Sequence, residues 1–333
     1  VTAVVVALGL AVVGVTLLDV VWTTLAAGSG SGPITDRVTA VLWRVALAVH
    51  RRRPSHGFLA AAGVATVLAV LVTWILLVLV GWSLVFTSGE GAVRASPSGV
   101  PADLVERLYF TGYTVFTLGL GDFVPGDGAW QLATVAATGS GLVLVTLGIT
   151  YLVPVASAVA ERRSLAGYVS SLGADGPAIL VEAWDGEDFG ALSDHLVSLA
   201  PLLHTARQQH LTYPVLHYFH SVERRDAPGP AAVALSDALI LLRHGVAPEA
   251  TPAGATVRAL DDAVARFLET VRSAHLPEGF DPLPPPSLQP LREAGIPTVD
   301  DDRFAAAVGS TERRRSLLAA LLADDGWSRE SGS

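Results

Sequence analysis

The chain is 333 residues long and 51% hydrophobic, with a mean hydropathy of +0.48 and no Cys; it is too apolar for an ordinary soluble protein, and disulfides, thiolate catalysis and Cys-based metal sites are excluded. Its net charge of −9 is confined to one half: residues 1–160 hold 7 acids and 7 bases, whereas residues 161–333 hold 24 acids and 15 bases. Such an acidic second half lacks the Lys/Arg clusters that neutralise phosphates, which argues against nucleic acid as a partner and for a separate soluble domain.

Every basic residue is Arg, and there is no Met, so Val1 is either an alternative start read literally or the edge of a longer chain. Residues 1–27 are apolar almost throughout and would reach roughly 40 Å as a helix, enough to cross the hydrocarbon core. A signal peptide would have a positive start and a shorter apolar stretch. Asp19 is the exception within this span, a carboxylate expected near the cytoplasmic end in an interfacial or partnered structural role.

Residues 28–57 carry Arg37, Arg44, Arg51, Arg52 and Arg53 against the single acid Asp36. By the positive-inside rule this basic linker is cytoplasmic. Its apolar residues between Ile34 and His50 recur at helical spacing, so part of it either lies flat on the inner leaflet as an amphipathic helix or forms a solvated linker helix. No helix shows arginines at every third position, so voltage gating is not expected.

A pore domain is expected over residues 58–160. Residues 58–86 form an outer spanning helix with Trp82 at the outer interface, followed by a Gly/Ser/Pro-rich external loop over 87–102. Pro101, Asp103 and Glu106 open a short helix through Phe116, at roughly 20 Å too short to span. Residues 114–122 then read Thr-Val-Phe-Thr-Leu-Gly-Leu-Gly-Asp. Backbone that leaves helical geometry at membrane depth is tolerated only when buried in protein or lining water, so this segment reads as a re-entrant loop. After Asp122, a turn at Val124, Pro125 and Gly126 leads to an inner helix from Trp130 to near Ser157. Glu161, Arg162 and Arg163 mark its exit into the cytoplasm.

Residues 161–333 read as an acidic, α-rich cytoplasmic domain. Helices are expected at 187–210, 230–244, 252–275 and 311–323, with Thr251 as an N-cap and Pro252 as a first helical residue. The five prolines of 281–290 predict an irregular connector, and Asp300, Asp301 and Asp302 a solvated loop. His195, His204, His210, His217 and His220 crowd together; His217 and His220, three apart, would share a helix face. Metal binding and pH sensing are open there beside plain packing with Tyr213, Pro214, Tyr218 and Phe219.

A cation leaving water needs its hydration shell replaced by closely spaced oxygens, and consecutive carbonyls aimed at one axis supply them. That requires backbone angles alternating in hand, cheap for Gly119 and Gly121 and costly elsewhere. Thr114, Thr117, Gly119, Gly121 and Asp122 match the T-x-x-T-x-G-x-G-D signature, and residues 58–157 thereby resemble the pore domain of potassium channels. The resemblance implies a selectivity filter formed by Thr117, Leu118, Gly119, Leu120 and Gly121, supported by Thr114, Asp122, Tyr109 and Phe110. It also implies K⁺ at the filter as the only metal and a homotetramer, since one loop supplies only a quarter of each oxygen ring.

Leu120 departs from the family, which mostly carries an aromatic, usually Tyr, tying the filter to the pore helix. It can pack against Tyr109 and Phe110 but cannot hydrogen-bond to them. On the inner helix, Gly141 falls where the family places a hinge, with close helix packing as the alternative. Val145, Ile149 and Val153 follow at helical spacing as a candidate dewetting gate, with lipid-facing or core positions as the alternative, and Pro154 is expected to bend the helix.

The expected architecture is an all-α membrane protein: a spanning helix over 1–27, a basic linker over 28–57, the pore domain over 58–160 and the α-rich domain over 161–333. The expected function is passive K⁺ conduction in the cell membrane, with membrane lipids as surroundings, no catalytic residues and no cofactor. A nonselective cation pore, and a membrane-anchored signalling protein using a degenerate pore module to oligomerise, are the alternatives.

Overall fold

The computed structural model describes residues 2–26, 30–252, 254–274, 276 and 279–327. Among the described residues three helices are long and apolar enough to cross a bilayer: α1 (Thr2–Leu25), α3 (His56–Thr87) and α5 (Ala129–Leu172). Helix α2 (Pro33–Arg52) links α1 to α3, and a short helix, α4 (Leu104–Val115), lies between two three-residue strands, β1 (Val93–Ala95) and β2 (Phe123–Pro125). The strands pair antiparallel, Val93 opposite Pro125. Beyond α5 the regular elements are all helical, so the expected all-α membrane architecture holds.

Helix α5 does not end near Ser157 as expected but runs on to Leu172, through Pro154 and past Glu161, Arg162 and Arg163. Hydropathy marks where a helix stops being apolar, not where its hydrogen bonding stops. Apolar residues resume at Leu165, and Ala166 and Val169 are buried again.

The chain divides into two compact units, one formed by the residues up to Val41 with Ala65–Pro154, the other by Leu42–Val64 with the residues from Val155 onward. These boundaries fall inside α2, α3 and α5 rather than in loops.

In the first unit, α1 crosses α3 where Gly9 and Gly81 face each other's carbonyl oxygens, too close for a Cβ on either. Small residues are the usual device for such backbone approach in a membrane. Nearby, Asp19 is only 2% exposed. Its carboxylate accepts from Ile34 N (2.7 Å), Thr35 N (3.2 Å), Thr35 Oγ1 (2.7 Å) and Trp74 Nε1 (2.9 Å). A charge placed in α1 therefore caps the positive N-terminus of α2 and ties both to α3. This is the partnered structural role expected of it.

The N-terminus of α4 is closed by a capping box: Asp103 Oδ1 accepts from Glu106 N, and Glu106 Oε2 accepts from Asp103 N. Arg107 fixes the same end from its side. Its guanidinium donates to the carbonyls of Ala102 (2.8 Å), Thr87 (3.3 Å), Gly89 (2.9 Å) and Glu90 (3.1 Å). Thr87 is the last residue of α3, so one side chain satisfies an orphan carbonyl there and fastens the loop after α3 to α4.

The second unit is a helical domain of α6 (Gly176–Ala183), α7 (Gly190–Thr212), α8 (Pro228–Ile240), α9 (Gly254–Ala274), α10 (Gln289–Glu293), α11 (Asp301–Val308) and α12 (Glu312–Asp324). Helix α7 packs on α9, α6 on α8, and α12 on both α8 and α9. The core holds Leu180, Leu199, Leu239, Leu260 and Leu318, none with measurable exposure. A π-helical turn over Leu241–Gly245 extends α8.

The four expected helices are present with shifted ends. Thr251 does not cap α9, which begins at Gly254; its hydroxyl donates to Ala247 O instead. The aspartates 300–302 are not a free loop. Asp300 caps α11 by accepting from Arg303 N, and Asp301 and Asp302 occupy its positive first turn. A hydrogen bond from Arg292 also holds the Asp301 carboxyl below the usual carboxylate range.

Replacing Asp19 with Ala leaves two backbone donors and an indole N–H buried without an acceptor, and should cost about 3 kcal/mol. Asp19→Asn keeps one acceptor oxygen and should cost about half of that. Unfolding in mixed detergent micelles would measure both, and a tie with the parent chain would refute the capping role. Arg107→Ala, by the same measurement, should cost about 3 kcal/mol through its lost charged hydrogen bonds.

Candidate functional site

The loop expected to form the filter follows directly from α4. Its backbone turns out of the helix at Phe116, whose N–H still bonds Gly112 O. Leu118 N then bonds Tyr113 O at 2.8 Å, and Thr117 N bonds Thr114 O at 3.1 Å. Beyond the loop, Ser96 N donates to Asp122 O, and Phe123 enters β2. The segment is anchored at both ends by other backbone.

Between the anchors, φ is +60° at Thr117, +58° at Gly119 and +82° at Gly121. Every second residue is left-handed, which turns successive carbonyls the same way. Gly119 and Gly121 adopt this hand freely, whereas Thr117 is a β-branched residue outside its comfortable range, a strain of about 1–3 kcal/mol. Among the described residues, nothing donates a backbone hydrogen bond to the carbonyls of Thr117, Leu118, Gly119 or Leu120. All residues from Phe116 to Asp122 are exposed in a single chain, Leu118 at 64% and Leu120 at 56%. The C-terminal end of α4, with its partial negative charge, stands at the start of this loop.

The expected supporting residues divide. Phe110 is buried, with its ring edge-on to Phe86 and near Tyr113. Thr114 is buried. Tyr109 is partly exposed, edge-on to Tyr113 and Phe123, with its hydroxyl beside the Asp122 carboxylate. Tyr113 escaped the sequence reading: its hydroxyl donates to Phe123 O at 2.6 Å, bridging the pore helix to the far side of the loop. Arg107 escaped it too. A lone basic residue inside a short, mostly apolar helix was the available signal for Arg107; for Tyr113 there was only its helical spacing from Tyr109.

On α5, a Cβ added at Gly141 would overlap the carbonyl oxygen of Val115, the last residue of α4. Close approach of two backbones thus accounts for the glycine, and α5 is helical straight through it. One residue earlier, buried Ser140 accepts from Trp82 Nε1 at 2.9 Å, fastening α5 to α3. Val145, Ile149 and Val153 lie on an exposed stripe of α5.

The five histidines from His195 to His220 do not gather at one site. His195 Nδ1 meets the Tyr168 hydroxyl at 2.7 Å, and His204 is exposed. His210 packs edge-on to His217. His217 and His220 do not share a helix face: His217 lies in a 3₁₀ turn, Pro214–Tyr218, and bonds Asp324, while His220 lies beyond it and bonds His56 Nδ1 at 2.9 Å. Among the described residues no three His, Asp or Glu are placed to hold a metal.

A family model described as "Ion channel" matches residues 69–158, which take in most of α3, the whole pore loop and α5 as far as Ala158. A protein of Bacillus subtilis (strain 168), "Uncharacterized membrane protein YdjJ", is 34% identical over 314 residues, covering 94% of this chain and 92% of that protein. No solved structure matches the chain. With almost full coverage in both directions, the chain belongs to the family of that Bacillus membrane protein, and it carries an ion-channel pore domain.

Proposed function

We propose that the protein is a potassium-type cation channel, conducting passively through a filter assembled from four copies of the chain and not gated by voltage. The observation that carries this is the alternation in backbone hand at Thr117, Gly119 and Gly121, in a loop where, among the described residues, no backbone donor bonds the carbonyls of Thr117 to Leu120. Thr117, Leu118, Gly119, Leu120 and Gly121 then supply oxygen rings that replace the hydration shell of K⁺. Four copies complete the rings, with exposed Leu118 and Leu120 covered by neighbouring chains. Val145, Ile149 and Val153 line the axis below as an apolar gate. The arginines of residues 37–53 put the linker, and with it the C-terminal domain, on the cytoplasmic side of the cell membrane.

Leu120 cannot strap the filter as the family's aromatic does. Tyr113 offers a replacement from the other direction, because its bond to Phe123 O fixes the chain just past Asp122. Selectivity then depends on a pore-helix hydroxyl rather than a filter hydroxyl.

Gly119→Ala forces an L side chain to φ near +58° and should abolish Rb⁺ flux into proteoliposomes while leaving the assembled protein intact by size. Flux that survives the substitution would sink the filter assignment. Tyr113→Phe loses one hydrogen bond of about 1 kcal/mol, so the K⁺/Na⁺ permeability ratio should fall roughly fivefold with conduction retained. Reversal potentials in bi-ionic solutions read this directly; a parent ratio near unity would favour a nonselective cation pore.

A further inference from the structure

The second unit holds a cavity of about 180 Å³ lined by Arg243, His244, Asp261, Ser310, Thr311 and Arg314. Arg243 and His244 come from the π-helical turn that follows α8, Asp261 from α9 and Arg314 from α12. A π turn is rare and recurs at functional sites, so its presence under two of the cavity's side chains asks for a reason.

Charge in this cavity does not balance. Asp261 is buried, and each of its carboxylate oxygens is taken by a guanidinium, Oδ2 by Arg243 and Oδ1 by Arg314. One negative charge therefore answers two positive ones. Arg314 spends only Nη1 on this pair; its Nε and Nη2 are buried with no hydrogen-bond partner among the described residues. Those two nitrogens form the edge with which a guanidinium holds two oxygens of one oxyanion through parallel bonds. Leaving them unpaired costs the desolvation of charged donors. The hydroxyls of Ser310 and Thr311 already donate to Ala307 O and Val308 O, so the donors left to a ligand are the two arginines and His244.

We infer that this cavity binds a small monocarboxylate, whose two oxygens pair with Arg314 and Arg243. A single negative charge neutralises the site, whereas a phosphate dianion would set its second charge against Asp261. At about 180 Å³ the cavity is smaller than the roughly 300–1,000 Å³ of pockets for drug-sized ligands, so the acid is a short one. Burial, and then the charge of Arg243, hold His244 below the ordinary histidine range against the opposing pull of Asp261. It is then neutral at about pH 7 and has one N–H to donate. A carboxylate beside it raises that value again, so binding takes up a proton and tightens as pH falls below about 6.5. The inference draws on the second unit alone and is independent of what the pore conducts.

Calorimetric titration of the full chain in detergent micelles, with sodium propanoate against sodium chloride at equal ionic strength, tests this. Saturable binding of propanoate is expected, roughly tenfold tighter than that of inorganic phosphate. No saturable signal beyond that of chloride would overturn the inference, and phosphate binding equally well would overturn the monocarboxylate class. Arg314→Lys keeps a charge for Asp261 but loses the paired edge, and should weaken propanoate roughly tenfold. An unchanged affinity in that variant would remove the ligand from this cavity. From about pH 7.5 to about pH 5.5 the parent's affinity should rise severalfold, whereas His244→Gln, which keeps a donor, should show no rise. A parent indifferent to pH, or a variant that still tightens in acid, would refute the part given to His244.

Discussion

Backbone that gives up its own hydrogen bonds must be held by something else, and at membrane depth water is not available to help. The segment from Thr117 to Gly121 gives up the helical hydrogen bonds of α4, and contacts across the first unit hold it. Leu118 N leans on Tyr113 O at one end, and Ser96 N on Asp122 O at the other. The Tyr113 hydroxyl ties the far side back to the helix. Gly141 lets α5 press its backbone against the last turn of α4, so the point where the chain leaves helical geometry is braced from below. Arg107 and the capping box hold the opposite end of the same helix. The short helix is fixed at both termini because the loop's geometry can be no better than that of its platform.

The same logic appears a second time where α1 meets α2. There a buried carboxylate, costly in lipid, is stabilised because it faces a helix N-terminus with two free N–H groups and an indole. Four hydrogen bonds to one carboxylate make Asp19 a joint between three helices. In both places a polar group inside an apolar region marks an end of a helix being satisfied by a neighbour.

Spanning helices and the pore loop were legible in the sequence because hydropathy and a glycine doublet act locally. Gly119 and Gly121 announced their positive φ; Thr117 did not, since a threonine adopts that hand only when its surroundings force it. Gly141 read equally as a hinge or as a packing site, and its close approach to Val115 O is a tertiary fact that no local pattern announces. The pairing of β1 with β2 joins segments on opposite sides of α4 and leaves no local pattern in three-residue strands. Short helices α6 and α11 were missed for a related reason: eight residues hold barely two turns, too few for a periodic stripe, and Asp175 and Asp300 at their caps look like ordinary loop residues. The end of α5 was misplaced because charge signals departure from lipid, and Arg162 can leave lipid without leaving the helix.

A single chain presents Phe116 to Asp122 to its surroundings, with leucines exposed and, among the described residues, no backbone donor on the carbonyls of Thr117 to Leu120. In a bilayer such a surface is penalised until other protein covers it. In the four-chain assembly proposed above, the loop's stability is a function of protomer concentration rather than a property of one folded chain, and mass action in the plane of the membrane decides how much of the population holds a finished loop. Dilution in lipid would loosen this segment first, while α3, α5 and the helical second unit, which satisfy their own hydrogen bonds, would persist.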